Sequence, residues 1–133
     1  MSESFTLKSV TVTPQEVSNL LCSAWEGGSA YWATCESTVE PNRWEFDSDS
    51  QYTGSASHYS FDYPLNPGGA AIIRDTYGDE GTKVLDRAAV QKGLALLAEK
   101  HPLRFARMLA EDADAEDGDV FLQLCLFGDV IYG

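Results

Sequence analysis

A chain of 133 residues is one domain's worth, long enough to bury a sizeable core and too short for two ordinary domains. With 44% hydrophobic, 11% aromatic and 23% charged residues it falls outside the disordered, collagen-like and simple coiled-coil classes. Nine Lys and Arg against 21 Asp and Glu leave a formal charge of -12, which makes nucleic acid and anionic membranes poor direct ligands.

In chain order, Phe5, Leu7, Ser9 and Val10 to Thr13 alternate as a strand does. Thr13-Pro14-Gln15-Glu16 is a helix start: Thr13 caps, Pro14 needs no N–H there, and Glu16 completes a capping box. Val17, Leu20, Leu21, Ala24 and Trp25 then form one apolar stripe, and Gly27-Gly28 offers a left-handed exit. Ala30 to Val39, rich in aromatic, Thr and Val residues, reads as a strand stopped by Pro41-Asn42. Residues 42 to 69 alternate aromatic with polar residues around Ser, Gly and Asp, and predict a loose hairpin. Ala70 to Thr76 is another strand, closed by the turn Gly78 to Gly81.

From Asp86, taken as a cap, the period becomes helical through Ala89, Val90, Leu94, Leu97 and Ala98, with Gly93 a weak point. His101-Pro102 ends that helix and opens the next, which carries Phe105, Met108 and Leu109. Asp117 or Asp119 is expected to cap a third helix, Val120 to Phe127, apolar almost all round and ended by Gly128, before a short extended tail. These elements predict a single α+β domain over 1–133. Its small antiparallel or mixed sheet, from the N-terminal two-thirds, packs with an N-terminal helix and a C-terminal helical cluster.

The N-terminus, Met1 to Phe5, has neither the basic start nor the apolar core of a secretory signal, so a cytoplasmic location is expected. The longest apolar run, Val120 to Asp129, is interrupted by Gln123 and Gly128 and is too short for a membrane span. Cys22, Cys35 and Cys125 are odd in number, far apart and without CxxC, and are read as reduced, buried small side chains.

Charge is unevenly distributed. Residues 1–80 carry 12 acids and 3 bases, residues 81–110 two acids and six bases, and residues 111–133 seven acids and no base. Three readings fit the densest stretch, Glu111 to Asp119. In the first, acids at a helix start favour the macrodipole, cap the helix and keep the apolar C-terminus soluble. In the second, Asp112, Asp114 and Glu116 begin a calcium loop, but Asp117 stands before Gly118 and the twelfth position is Gln123, where a Glu belongs. In the third, Glu111, Asp112, Asp114, Glu116, Asp117 and Asp119 form an anionic surface, with Asp112, Asp114 and Glu116 on one side of an extended stretch. Glu45, Asp47, Asp49 and Asp62 supply a second bank, and Asp75, Asp79 and Glu80 widen the patch. Such a surface offers carboxylates where a DNA-binding protein expects phosphates.

Trp44-Glu45-Phe46-Asp47 and Tyr59-Ser60-Phe61-Asp62-Tyr63 mix aromatic and acidic groups, so Trp44 and Tyr59 are candidate anchors of a protein interface. Most other aromatics read as core or sheet surface. Catalytic constellations are thin. His58, flanked by Ser57 and Ser60, lacks a nucleophile elbow, and His101 reads as a helix-junction residue. Neither Gly27-Gly28 nor Gly68-Gly69 makes a phosphate loop. No catalytic residue, metal site or cofactor is expected.

The closing stretch GDVFLQLCLFGDVIYG (Gly118 to Gly133) and TPQEVSNLLCSAWEGGSAYW (Thr13 to Trp32) resemble a group of small acidic proteins carried by phages and prophages. The resemblance covers both ends and the helix between Asp86 and Lys100, not residues 42 to 69, and carries over no binding residue. It implies the company of anti-CRISPR and anti-restriction inhibitors, some of which imitate DNA. The leading expectation is therefore an inhibitor that occupies the DNA-binding groove of a basic host defence protein. The alternative is an interaction or scaffolding protein, possible as a homodimer built through the apolar C-terminus, whose acids serve solubility only.

Overall fold

A computed structural model describes residues 4–7, 10–39 and 69–133. The hairpin expected over 42–69 lies outside them, except for Gly69. The apolar positions of the first segment change parity between Leu7 and Val10. Strands β1 (Phe5–Leu7) and β2 (Val10–Val12) pair antiparallel with Phe5 opposite Val12. This corrects the expected single strand, which would have changed face midway; the hairpin instead buries both Phe5 and Val12.

Helix α1 (Pro14–Ser23) starts at the capping box, with Glu16 N–H donating to Thr13 Oγ1 at 3.2 Å and Thr13 N–H to Glu16 Oε1 at 2.9 Å. Its exit departs from expectation. Ala24–Gly28 makes one wider π-type turn in which Gly27 is extended, with φ 168°. A Cβ on Gly28 would lie 2.1 Å from the carbonyl oxygen of Ala115, so glycine here serves close approach of a later helix rather than a left-handed bend.

Strands β3 (Ala33–Val39), β4 (Ala70–Asp75) and β5 (Thr82–Asp86) form an antiparallel sheet in the order β3-β4-β5. β3 begins later than predicted because Ser29 to Trp32 form a turn whose side chains are engaged elsewhere. The turn after β4 winds around Asp75, which accepts from the N–H groups of Tyr77 and Gly78 at 2.9 Å and of Glu80 at 3.1 Å. Sequence reading missed β5, whose five residues run straight into the cap of the next helix.

Asp86 caps α2 (Arg87–Lys100) by accepting from Ala89 N–H at 2.9 Å, and Pro102 opens α3 (Pro102–Leu109). The last helix, α4 (Ala115–Phe127), is the core of the molecule, buried from Asp117 through Cys125 and packed against α1, the π-type turn, α2 and β5. The crossings are close. A Cβ on Gly93 of α2 would meet Cys125 Sγ at 2.3 Å, and one on Gly118 would lie 2.6 Å from Ala24 N and 2.7 Å from Leu20 O. The weak point in α2 is thus the point of contact with α4. Gly128 ends α4 in the left-handed conformation, φ 79°. The architecture is α+β, and among the described residues no helix is long and apolar enough to cross a membrane.

Candidate functional site

The acidic stretch divides between surface and interior. Asp114, not Asp117 or Asp119, caps α4: Asp117 N–H donates to Asp114 Oδ1 at 2.8 Å, and Asp114 N–H donates back to Asp117 Oδ2 at 3.1 Å. That corrects the expected cap; the helix starts on an acidic cap with Glu116 and Asp117 in its first turn. Asp117 is 1% exposed and holds two arginines of α3. Arg104 Nη1 donates to its Oδ1 at 2.6 Å, while Arg107 Nη2 and Nε donate to Oδ1 and Oδ2 at 2.7 and 2.8 Å. Burial alone would raise the Asp117 pKa. The Arg107 hydrogen bond, the Asp114 N–H and the Arg104 hydrogen bond outweigh it, holding the carboxyl well below the usual range.

Asp119 is also buried, 7% exposed, and both its oxygens are saturated. Ser29 Oγ and Trp32 Nε1 donate to Oδ1 at 2.8 and 2.7 Å, and Tyr31 Oη and Gln123 Nε2 to Oδ2 at 2.8 and 3.2 Å. Asp117 and Asp119 therefore leave the set of accessible carboxylates. Asp75 leaves it too: buried at 7%, it accepts the Tyr132 hydroxyl in addition to three backbone N–H groups. Burial, which works against its charge, is outweighed by these donors, and its pKa is lowered to about 2. Glu111, Asp112, Asp114 and Glu116 stay exposed, but α4 already begins at Ala115, so they do not form the extended row expected of 112–116. Glu45, Asp47, Asp49, Asp62, Trp44 and Tyr59 lie outside the described residues, as do His58, Ser57 and Ser60.

Beside the acidic turn opens a cleft of about 500 Å³, lined by the π-turn exit (Gly28, Tyr31), the α2–α3 junction (His101, Arg104), the start of α4 (Glu116, Asp119, Val120) and the chain end. Its size is that of a small-ligand site, roughly 300–1,000 Å³. Tyr31 stands in its wall 46% exposed, with only its hydroxyl tied to Asp119. Partial burial of that hydroxyl and the hydrogen bond to Asp119 raise its pKa to about 12, so Tyr31 stays a donor.

The tail, expected as merely extended, builds the far wall. Gln123 Oε1 accepts from Ile131 and Tyr132 N–H at 2.8 and 2.9 Å. The Tyr132 ring packs against Trp32, Phe127 and Tyr77 at centroid distances of 5.5, 6.1 and 5.4 Å. Sequence reading missed Ser29, Tyr31, Trp32, Arg104 and Tyr132 as parts of one site. The available signal was Gln123, an amide inside an otherwise apolar helix, four residues from an Asp.

A second recess of about 310 Å³, lined by small residues such as Ala24, Ala30 and Ala33 with Trp25 and Cys35, holds no acid or base. Among the described residues no three His, Cys, Asp or Glu side chains come together to hold a metal. Cys125 is buried and its thiol is pushed up by desolvation, which removes it as a nucleophile. Comparison with protein-family models, with curated proteins and with solved structures returned no match.

Proposed function

We propose that this chain is a non-catalytic binding protein that engages a basic, DNA-binding partner and competes with nucleic acid for it, in the manner of a phage-type inhibitor. The observation that carries this reading is the α3–α4 turn. Glu111, Asp112, Asp114 and Glu116 are exposed within six residues, while the nearby arginines Arg104 and Arg107 turn inward onto Asp117. The turn thus presents an excess of carboxylates, its two partly exposed arginines being paired with Asp117 and, for Arg104, with Glu116, and an excess of one sign steers a cationic partner in a salt-dependent way.

The test uses Glu111→Lys, Asp112→Lys and Glu116→Lys together and spares Asp114, whose carboxylate caps α4. Wild-type protein on a column retains a basic DNA-binding protein that duplex DNA and high salt both release. The triple variant melts as wild type does and retains none. Retention that duplex DNA leaves undisturbed overturns competition.

One observation favours a second reading, a homodimer or scaffold. Leu103, Ala106 and Leu109 lie exposed along one side of α3, Leu103 at 69%. A dimer that survives high salt in light scattering and is lost in Leu103→Glu supports it.

A further inference from the structure

We infer that Tyr31, Tyr77, Tyr132 and Ile131 form the anchoring surface for the basic partner, and that this surface takes a protein face presenting an apolar side chain among lysines and arginines. The inference rests on the reading above, which places the contact at the acidic turn alone, and adds the part that carries affinity. The cluster is assembled from remote segments. Tyr77 follows β4 in the turn wound on Asp75; its N–H donates to Asp75 Oδ1 at 2.9 Å, and Tyr132 donates its hydroxyl to the same carboxylate. One buried acid thus holds both residues, and the Tyr77 ring meets the Tyr132 ring edge-on, with centroids 5.4 Å apart at 86°. Tyr31 is tied through its hydroxyl to Asp119.

These side chains are held in place yet left uncovered. Tyr77 is 71% exposed, Tyr31 46% and Ile131 43%. So exposed a ring adds little buried area to the fold, and a rigid amphipathic ring that loses few rotamers on contact is what protein interfaces use as an anchor. Charge then selects the partner. The charges acting on the hydroxyls are acids: Asp119 on Tyr31, and Asp75, Glu80 and Asp79 on Tyr132. Lys83, beside the ring of Phe127, is paired with Glu80 at 3.9 Å, whereas Asp79 is exposed and has no ion pair among the described residues. Tyr31 and Tyr132 share the lining of the cleft with Glu116, so the cluster adjoins the turn that exposes Glu111 and Asp112. An aromatic centre with an acidic rim complements a basic face with an apolar centre; the rim sets approach and salt dependence, and the centre sets dissociation.

The experiment is an amide-resolved NMR titration of the full chain with three probes: a short helical peptide carrying lysines around one leucine stripe, the same peptide with glutamate for lysine, and octa-lysine. The lysine–leucine peptide is expected to shift Tyr31, Tyr77, Ile131 and Tyr132 saturably, with the glutamate peptide silent and octa-lysine confined to Glu111 and Asp112. Tyr77→Ala is expected to weaken the lysine–leucine peptide about ten-fold and Tyr77→Phe less than about two-fold. If Tyr77→Ala lowers the melting temperature, Ile131→Ser decides, with an expected loss of about three-fold. Shifts confined to the acidic turn, equal binding of the glutamate peptide, or an unchanged affinity in the deciding variant overturn the inference. A basic DNA-binding protein that duplex DNA releases, and that wild type and Tyr77→Ala retain equally, also overturns it while leaving the function proposed above intact. Peptide binding at the tyrosines, in a protein whose basic partner duplex DNA leaves undisturbed, upholds the inference and defeats competition with nucleic acid.

Discussion

Asp117 and Asp119 sit two positions apart and do opposite things with one kind of group. Asp117 neutralises two guanidiniums, whereas Asp119 gathers neutral donors from a turn about ninety residues earlier and from its own helix. Asp117→Asn leaves two arginines facing an uncharged amide and is expected to cost about 3 kcal/mol in urea unfolding. Asp119→Asn turns one oxygen into a donor that faces donors, and about 2 kcal/mol or more should be lost. Asp112→Asn, on the exposed turn, should stay within about 0.5 kcal/mol of wild type. If all three behave alike, the division between inner and outer acids is wrong. That division was illegible in the sequence. Asp114, Asp117 and Asp119 each satisfy the local capping rule, and the choice among them is made by arginines on α3 and by Ser29, Tyr31 and Trp32.

At the level of elements, local rules held at several helix ends and failed at others, such as the α4 cap and the exit of α1. The Thr13–Glu16 box, the Pro102 start and the Gly128 stop all appear where the sequence places them. They failed where pairing was remote or the element short: β5 needs β4 to exist, and the first segment folds into a hairpin because Phe5 and Val12 share one core. Gly93 looked like a defect in α2 and is a docking point. Gly118 is another, wedged against the backbone of α1 and the turn after it, with Ala24 N and Leu20 O in the way of any Cβ. Gly118→Ala should therefore cost about 2 kcal/mol, despite alanine's better helix propensity, through forced separation of α1 and α4. A rise in melting temperature would show that these helices do not approach so closely.

For the molecule as a whole, ionisation sets a working window. Asp75 and Asp117 have folded pKa values below the ordinary carboxylate value of 3.8, so the unfolded chain takes up protons first as pH falls. Their contribution is full above about pH 4 and is lost as pH falls below it, that of Asp75 through about pH 2. Tyr132, which donates to Asp75, and Tyr31 lie near 12 instead of 10, so the unfolded chain loses those protons first. Stability should decline again as pH climbs from 10 toward 12. Thermal melts across pH should give a plateau between these limits, with an acid limb that is shallower in Asp75→Asn. The Asp119 cluster carries one more consequence, for synthesis. Ser29, Tyr31 and Trp32 wait 87 to 90 residues for the carboxylate they bind. A nascent chain cannot settle this corner until Asp119 has emerged from the ribosome, so the hydrogen bonds of the Ser29 to Trp32 turn wait on a stretch made about ninety residues later.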